Sequence, residues 1–155
     1  MILSSSRKLL ALVFWFVLAA PDDAAGQGLT VDGMEVFYGV VPAEVIRKQT
    51  DRHDPGMHRK RFWRTGSHHL VVSIYDAKTG ARITDATVAA TVTPLGLASM
   101  ERQLEPMQVN RTVTYGNFFD MPPGSGPFHI VLSIKRPKAS AHNTLQFDYR
   151  PPGQS

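Results

Sequence analysis

The chain has 155 residues, a formal net charge of +4, six histidines, six methionines and no cysteine. The absence of cysteine excludes a disulfide framework, a thiolate copper site and a Cys-based zinc site. There is no Gly-rich phosphate loop, and Glu35, Glu44 and Glu105 show no paired-carboxylate pattern, so nothing in the chain points to an enzyme.

Residues 1–26 read as a secretory signal peptide. Arg7 and Lys8 form a positive start, Leu9 to Ala20 is an apolar run, and Ala24-Ala25-Gly26 offers small residues for cleavage. The run falls short of the roughly 20 apolar residues that span a bilayer. Nothing later in the sequence is long and apolar enough to cross one. The expected address is therefore a bacterial periplasm, with no transmembrane segment after cleavage. Residues 27–150 are expected to form a single domain, followed by a frayed tail at 151–155. The leader carries two basic and two acidic residues, so its removal leaves the net charge at +4. A domain of this size without disulfides depends on its core.

Leu29 to Gly33 is a lead-in ending in a turn, and Met34 to Val41 reads as a first strand. Pro42 suits the first position of a helix, so one short helix is expected near residues 42–49, with Val45 and Ile46 inward. Gln49 to Ser67 is too long for a plain connection. It carries Asp51, His53, Asp54, Met57 and His58, the basic run Arg59, Lys60, Arg61 and Arg64, and the aromatic pair Phe62 and Trp63.

His68 to Val92 organises the rest. Leu70, Val72 and Ile74 alternate with His69, Val71, Ser73 and Tyr75. A turn at Asp76 to Gly80 follows, then a second alternating run with Val88, Ala90 and Val92 on one face. That pattern predicts a β-hairpin or a close relative. Ser99 to Leu104 is a short strand, which Glu105-Pro106-Met107 is expected to break. Asn110 to Phe119 alternates with Val113, Tyr115 and Phe118 on one face. Gly116 within it marks a bulge or a close backbone approach. Phe128, Ile130, Leu132 and Ile134 define a strong strand, and Leu145, Phe147 and Tyr149 the last. About seven short strands with turns between them predict an all-β, immunoglobulin-like Greek-key sandwich.

Several stretches resemble the YtkA-like and FixH-like exported bacterial domains, which are grouped with periplasmic copper-handling proteins. The carrying residues are Asp76-Ala-Lys-Thr-Gly80 with Ile83-Thr-Asp-Ala86 and Val88, then Leu104-Glu-Pro-Met107, Tyr115-Gly-Asn-Phe-Phe119 and Phe147-Asp-Tyr149. The resemblance spans roughly residues 34–149. It implies an immunoglobulin-like sandwich outside the cytoplasm and, loosely, metal binding.

Histidine and methionine are the soft and borderline ligands available. Thioether with imidazole suits Cu(I), and imidazole with carboxylate suits Zn or Cu(II). One donor set is His68, His69, Met107 and Met121, at strand ends that can converge at one pole. Neighbours on a strand point to opposite faces, so His68 and His69 ligate together only across a bend. A second set is His53, Met57 and His58, with Asp51 or Asp54, in the long loop. That loop runs into His68, so one shared site at the junction is the sharpest reading. His129 and His142 read as surface residues. Ser67 beside His68 is sequence adjacency without a serine-nucleophile arrangement.

The first functional expectation is an exported metal-binding chaperone or buffer, its metal copper as Cu(I) or Cu(II), passed to a metal-receiving envelope protein. The second is a metal-free interaction module. It would dock an envelope or respiratory-complex partner through a sheet edge or through Arg59, Lys60, Arg61 and Arg64. Export argues against nucleic acid as the partner of the basic charge.

Overall fold

Alternation of apolar and polar residues decides which way each strand faces. The computed structural model describes residues 27–50, 66–109, 111–122 and 124–151. Residues 1–26, 51–65 and 152–155 lie outside it, and with them the expectations of a signal peptide and for His53, Met57, His58, Arg59, Lys60, Arg61 and Arg64.

The elements are β1 (Gln27–Val31), β2 (Met34–Pro42), α1 (Ala43–Thr50), β3 (Ser67–Asp76), β4 (Thr87–Pro94), β5 (Met100–Gln103), β6 (Glu105–Val109), β7 (Thr112–Asp120), β8 (Phe128–Lys135) and β9 (Asn143–Tyr149). They form a five-stranded sheet in the order β1-β2-β3-β7-β6 and a four-stranded sheet in the order β5-β4-β8-β9. Every pairing is antiparallel. The order β2-β3-β7-β6 facing β5-β4-β8-β9 is that of an immunoglobulin-type sandwich, with β1 added at one edge.

The core lies between the sheets. Val36, Leu70, Val72 and Ile74 come from the first sheet, and Val88, Val92, Ile130, Leu132 and Ile134 from the second; all are fully buried. Each such side chain contributes roughly 1.5–3 kcal/mol relative to exposure. Phe128 and Met34 close the same cluster. At one flank Tyr38 of β2 stacks on Phe147 of β9, their centroids 3.6 Å apart.

The structure departs from the sequence reading in particular places. The stretch from His68 to Val92 is not a hairpin, because β3 and β4 belong to different sheets. A stub of hairpin does form. Asp76 Oδ1 accepts from the Lys78 and Thr79 backbone N–H groups and from the Thr79 hydroxyl. Those bonds, the Thr79 N–H first, hold the Asp76 carboxyl below the usual carboxylate range. Gly80 sits at φ 66°, where a Cβ is disfavoured. Arg82 then bridges back to Tyr75, and Ile83 N–H donates to the Ile74 carbonyl. There the ladder stops. Ile83 turns into the core, and the Tyr115 hydroxyl pins the crossing by accepting from Ala86 N–H and donating to the Ile83 carbonyl.

Glu105-Pro106-Met107 is not a break but the start of β6. Leu104, 1% exposed, is the residue at which the chain leaves one sheet for the other. The lead-in is itself a strand, β1, joined to β2 through Asp32 and Gly33, both at positive φ (44° and 72°). These two additions raise the expected seven strands to nine among the described residues. Phe119, not Phe118, faces the core beside Tyr115. Val45 of α1 is exposed, whereas Ala43 is buried. Pro42 ends β2, one residue before the helix begins.

Candidate metal centre

The outer face of the five-stranded sheet is where donor side chains meet. Leu70, Val72 and Ile74 of β3 point into the core, so Ser67, His69, Val71, Ser73 and Tyr75 point the other way. In register, His69 stands directly across from Phe118, and Val71 from Gly116. On the far side of β7, Glu105 stands across from Gly116 and Met107 from Thr114. His69, Phe118, Gly116, Glu105 and Met107 therefore share one face over three adjacent strands.

The bulge expected at Gly116 is absent, since the pairing with β3 runs without interruption from Asp120 to Tyr115. The close approach is present. A Cβ built on Gly116 would stand 2.7 Å from His69 Nε2 and 2.7 Å from Met107 Sδ. The two donor atoms are thus at most twice that distance apart. The His69 ring lies nearly parallel to Phe118, with centroids 4.5 Å apart and 22° between planes. His69 is buried and Met107 half-buried. Two carboxylates lie on the same face. Glu105 is exposed, and Asp120 Oδ1 accepts the Ser67 hydroxyl at 3.0 Å.

The rest of the first donor set lies elsewhere. His68 points inward, its Nδ1 donating to the Gly66 carbonyl at 3.0 Å. A carbonyl only accepts, so Nδ1 carries a proton. The His68 ring meets Tyr149 edge to face at 5.6 Å, and burial pushes the Tyr149 phenol up. Met121 is fully buried in the core cluster. The structure therefore brings together His69 and Met107, and separates them from His68 and Met121 by the thickness of the sheet.

Of the other described histidines, both exposed, His129 lies on β8 of the four-stranded sheet and His142 in the loop just before β9. His129 Nδ1 donates to Asp148 Oδ1 at 2.9 Å, and His142 Nδ1 shares a hydrogen bond with the Ser133 hydroxyl. Ser67 donates to Asp120 and not to the adjacent His68. Among the described residues, no three His, Cys, Asp or Glu side chains gather as a metal-holding group. The pair therefore rests on a nitrogen and a sulfur. Phe118 and Glu105 were missed as its neighbours. Strand parity would have found Phe118, since a β7 without a bulge puts it opposite Tyr115.

Among the described residues no helix is long and apolar enough to cross a membrane. Compared by sequence, the chain matches no protein-family model and no curated protein. Compared by structure, it is similar to FetP of uropathogenic Escherichia coli strain F11, with TM-score 0.55 and 16% identity over 81% of this chain and 93% of FetP. A copper-bound glutamate-to-glutamine variant of FetP gives TM-score 0.51 and 14% identity, over 81% and 95%. A Pseudomonas aeruginosa protein of the DUF4426 family gives TM-score 0.58 and 12% identity, over 81% and 95%. At these identities the likeness is one of fold.

Proposed function

We propose that this is an exported, periplasmic copper-binding protein, a chaperone or buffer and not an enzyme. It takes Cu(I) as cargo between His69 and Met107. The observation that carries the reading is the convergence of His69 Nε2 and Met107 Sδ over Gly116. Imidazole with thioether favours Cu(I), which accepts few ligands, over zinc, which wants four. The flexible methionine can close on an ion held by the imidazole, while Phe118 keeps the ring in place.

The shared fold with FetP, one of whose variants is copper-bound, supports the reading. His53, Met57 and His58, which lie outside the described residues, are the donors that the sequence offers to complete the coordination.

The test is Cu(I) titration of the purified protein against a competing chelator, with Cu(II) and Zn(II) alongside. One Cu(I) per chain is expected. His69→Ala and Met107→Leu should each weaken it at least about tenfold, ~1.4 kcal/mol. A triple variant at His53, Met57 and His58 measures their share. Binding no tighter than that of an unrelated His-bearing surface would overturn the proposal. The protein would then be read as an interaction module, in which reversing Arg59, Lys60 and Arg61 blocks capture of an envelope partner and histidine changes are silent.

A further inference from the structure

We infer that Gly116 is the positioning residue of the His69–Met107 pair, an inference that rests on the reading above and extends it to a residue with no donor atom. An alanine Cβ would stand 2.7 Å from each donor atom and 3.1 Å from His69 Cε1. Contacts under 3.0 Å do not persist, so something moves. Both atoms struck belong to the outer parts of side chains, not to backbone. Gly116 is also free of backbone strain, because it is not among the residues at positive φ and its pairing with β3 and β6 is regular. An added methyl group is therefore accommodated by driving the imidazole and the thioether away from the strand, with the sheet intact.

Gly66 shows the contrast. It sits at φ 88°, and its Cβ would strike the Pro122 backbone at 2.9 Å, so a side chain there disturbs the chain itself. At Gly116 the glycine serves the two side chains that close over it. His69 is held flat by Phe118 on the central strand β3, whereas Met107 rides on the edge strand β6. The thioether is the donor that yields first, which opens the pair on its sulfur side.

The test separates positioning from copper binding. Urea denaturation of the metal-free protein, Gly116→Ala, Met107→Ala and the double variant forms a cycle. Gly116→Ala should lower the midpoint, and the loss should shrink when Met107 is already truncated. A final background with His69→Ala as well should remove most of what remains. Equal losses in all backgrounds would mean that neither side chain closes over Gly116, and would overturn the inference. If Gly116→Ala alone does not fold, the comparison of the two truncated backgrounds still decides it.

Cu(I) titration is the second readout. Gly116→Ala, with both donors present, should bind at least tenfold more weakly than the parent. Parent-like affinity would overturn the inference while leaving the copper reading standing. If the parent itself fails to bind Cu(I), the copper reading falls, and the denaturation cycle alone decides whether Gly116 positions the pair.

Discussion

Tyr115 shows how one hydroxyl fixes a chain crossing. Its ring is buried, and its oxygen serves both Ala86 N–H and the Ile83 carbonyl. Tyr115→Phe leaves both backbone groups without that partner. A loss of about 1–3 kcal/mol is expected in urea denaturation at neutral pH. Burial holds the Tyr115 phenol above its ordinary value, as it does for Tyr38 and Tyr149. A raised folded-state value means stability that is complete below the unfolded value, about 10, and lost as pH rises through the folded one. The difference between parent and Tyr115→Phe should therefore shrink in alkali. At this scale the sequence was informative where chemistry is local. Gly116 stands out because a glycine inside an alternating strand needs a reason, and the Asp76 to Gly80 turn follows from its side chains. Phe118 was misassigned because facing it inward required a bulge that the strand does not contain. The separation of His68 from His69 was legible in their adjacency, and the position of Met121 in the core was not. A methionine after a strand end reads equally well as a ligand or as filler.

β6 carries half of the candidate site and, among the described residues, pairs with β7 alone. It is reached through Leu104, whose N–H donates to the Val88 carbonyl as the chain crosses between sheets. Leu104→Ala empties a fully packed position and should cost about 2–5 kcal/mol. The loss should appear in hydrogen exchange first at β5 and β6, and Met107 should become more readily oxidised. Uniform faster exchange across all strands would mean that the crossing does not act locally. β5 and β6 were read as one strand and its end for a physical reason. Pro106 removes a backbone donor and is tolerated only because β6 is an edge. The one apolar residue between Gln103 and Glu105 gives no periodic signal of a change of sheet. By contrast β3 and β8 were legible, since Leu70, Val72 and Ile74, and Ile130, Leu132 and Ile134, recur with a period of two and are fully buried on one side.

At the scale of the whole molecule, an all-β sandwich with one short helix was readable because the sum of alternating runs and turns admits few other architectures. Which strand joins which sheet was not, because the hairpin stub after β3 looks the same in sequence whether the chain continues or crosses. The sandwich matters to the proposed function through one property. It places a central strand, its neighbour and an edge strand side by side, so that an imidazole and a thioether from distant parts of the chain meet over bare backbone. X-ray absorption at the copper edge of the Cu(I)-loaded protein tests that claim most directly. Nitrogen scattering together with a sulfur shell is expected, and Met107→Leu should remove the sulfur and leave nitrogen, while Met121→Leu should change neither. A sulfur shell that survives Met107→Leu, or a site of nitrogen and oxygen alone in the parent, would contradict it.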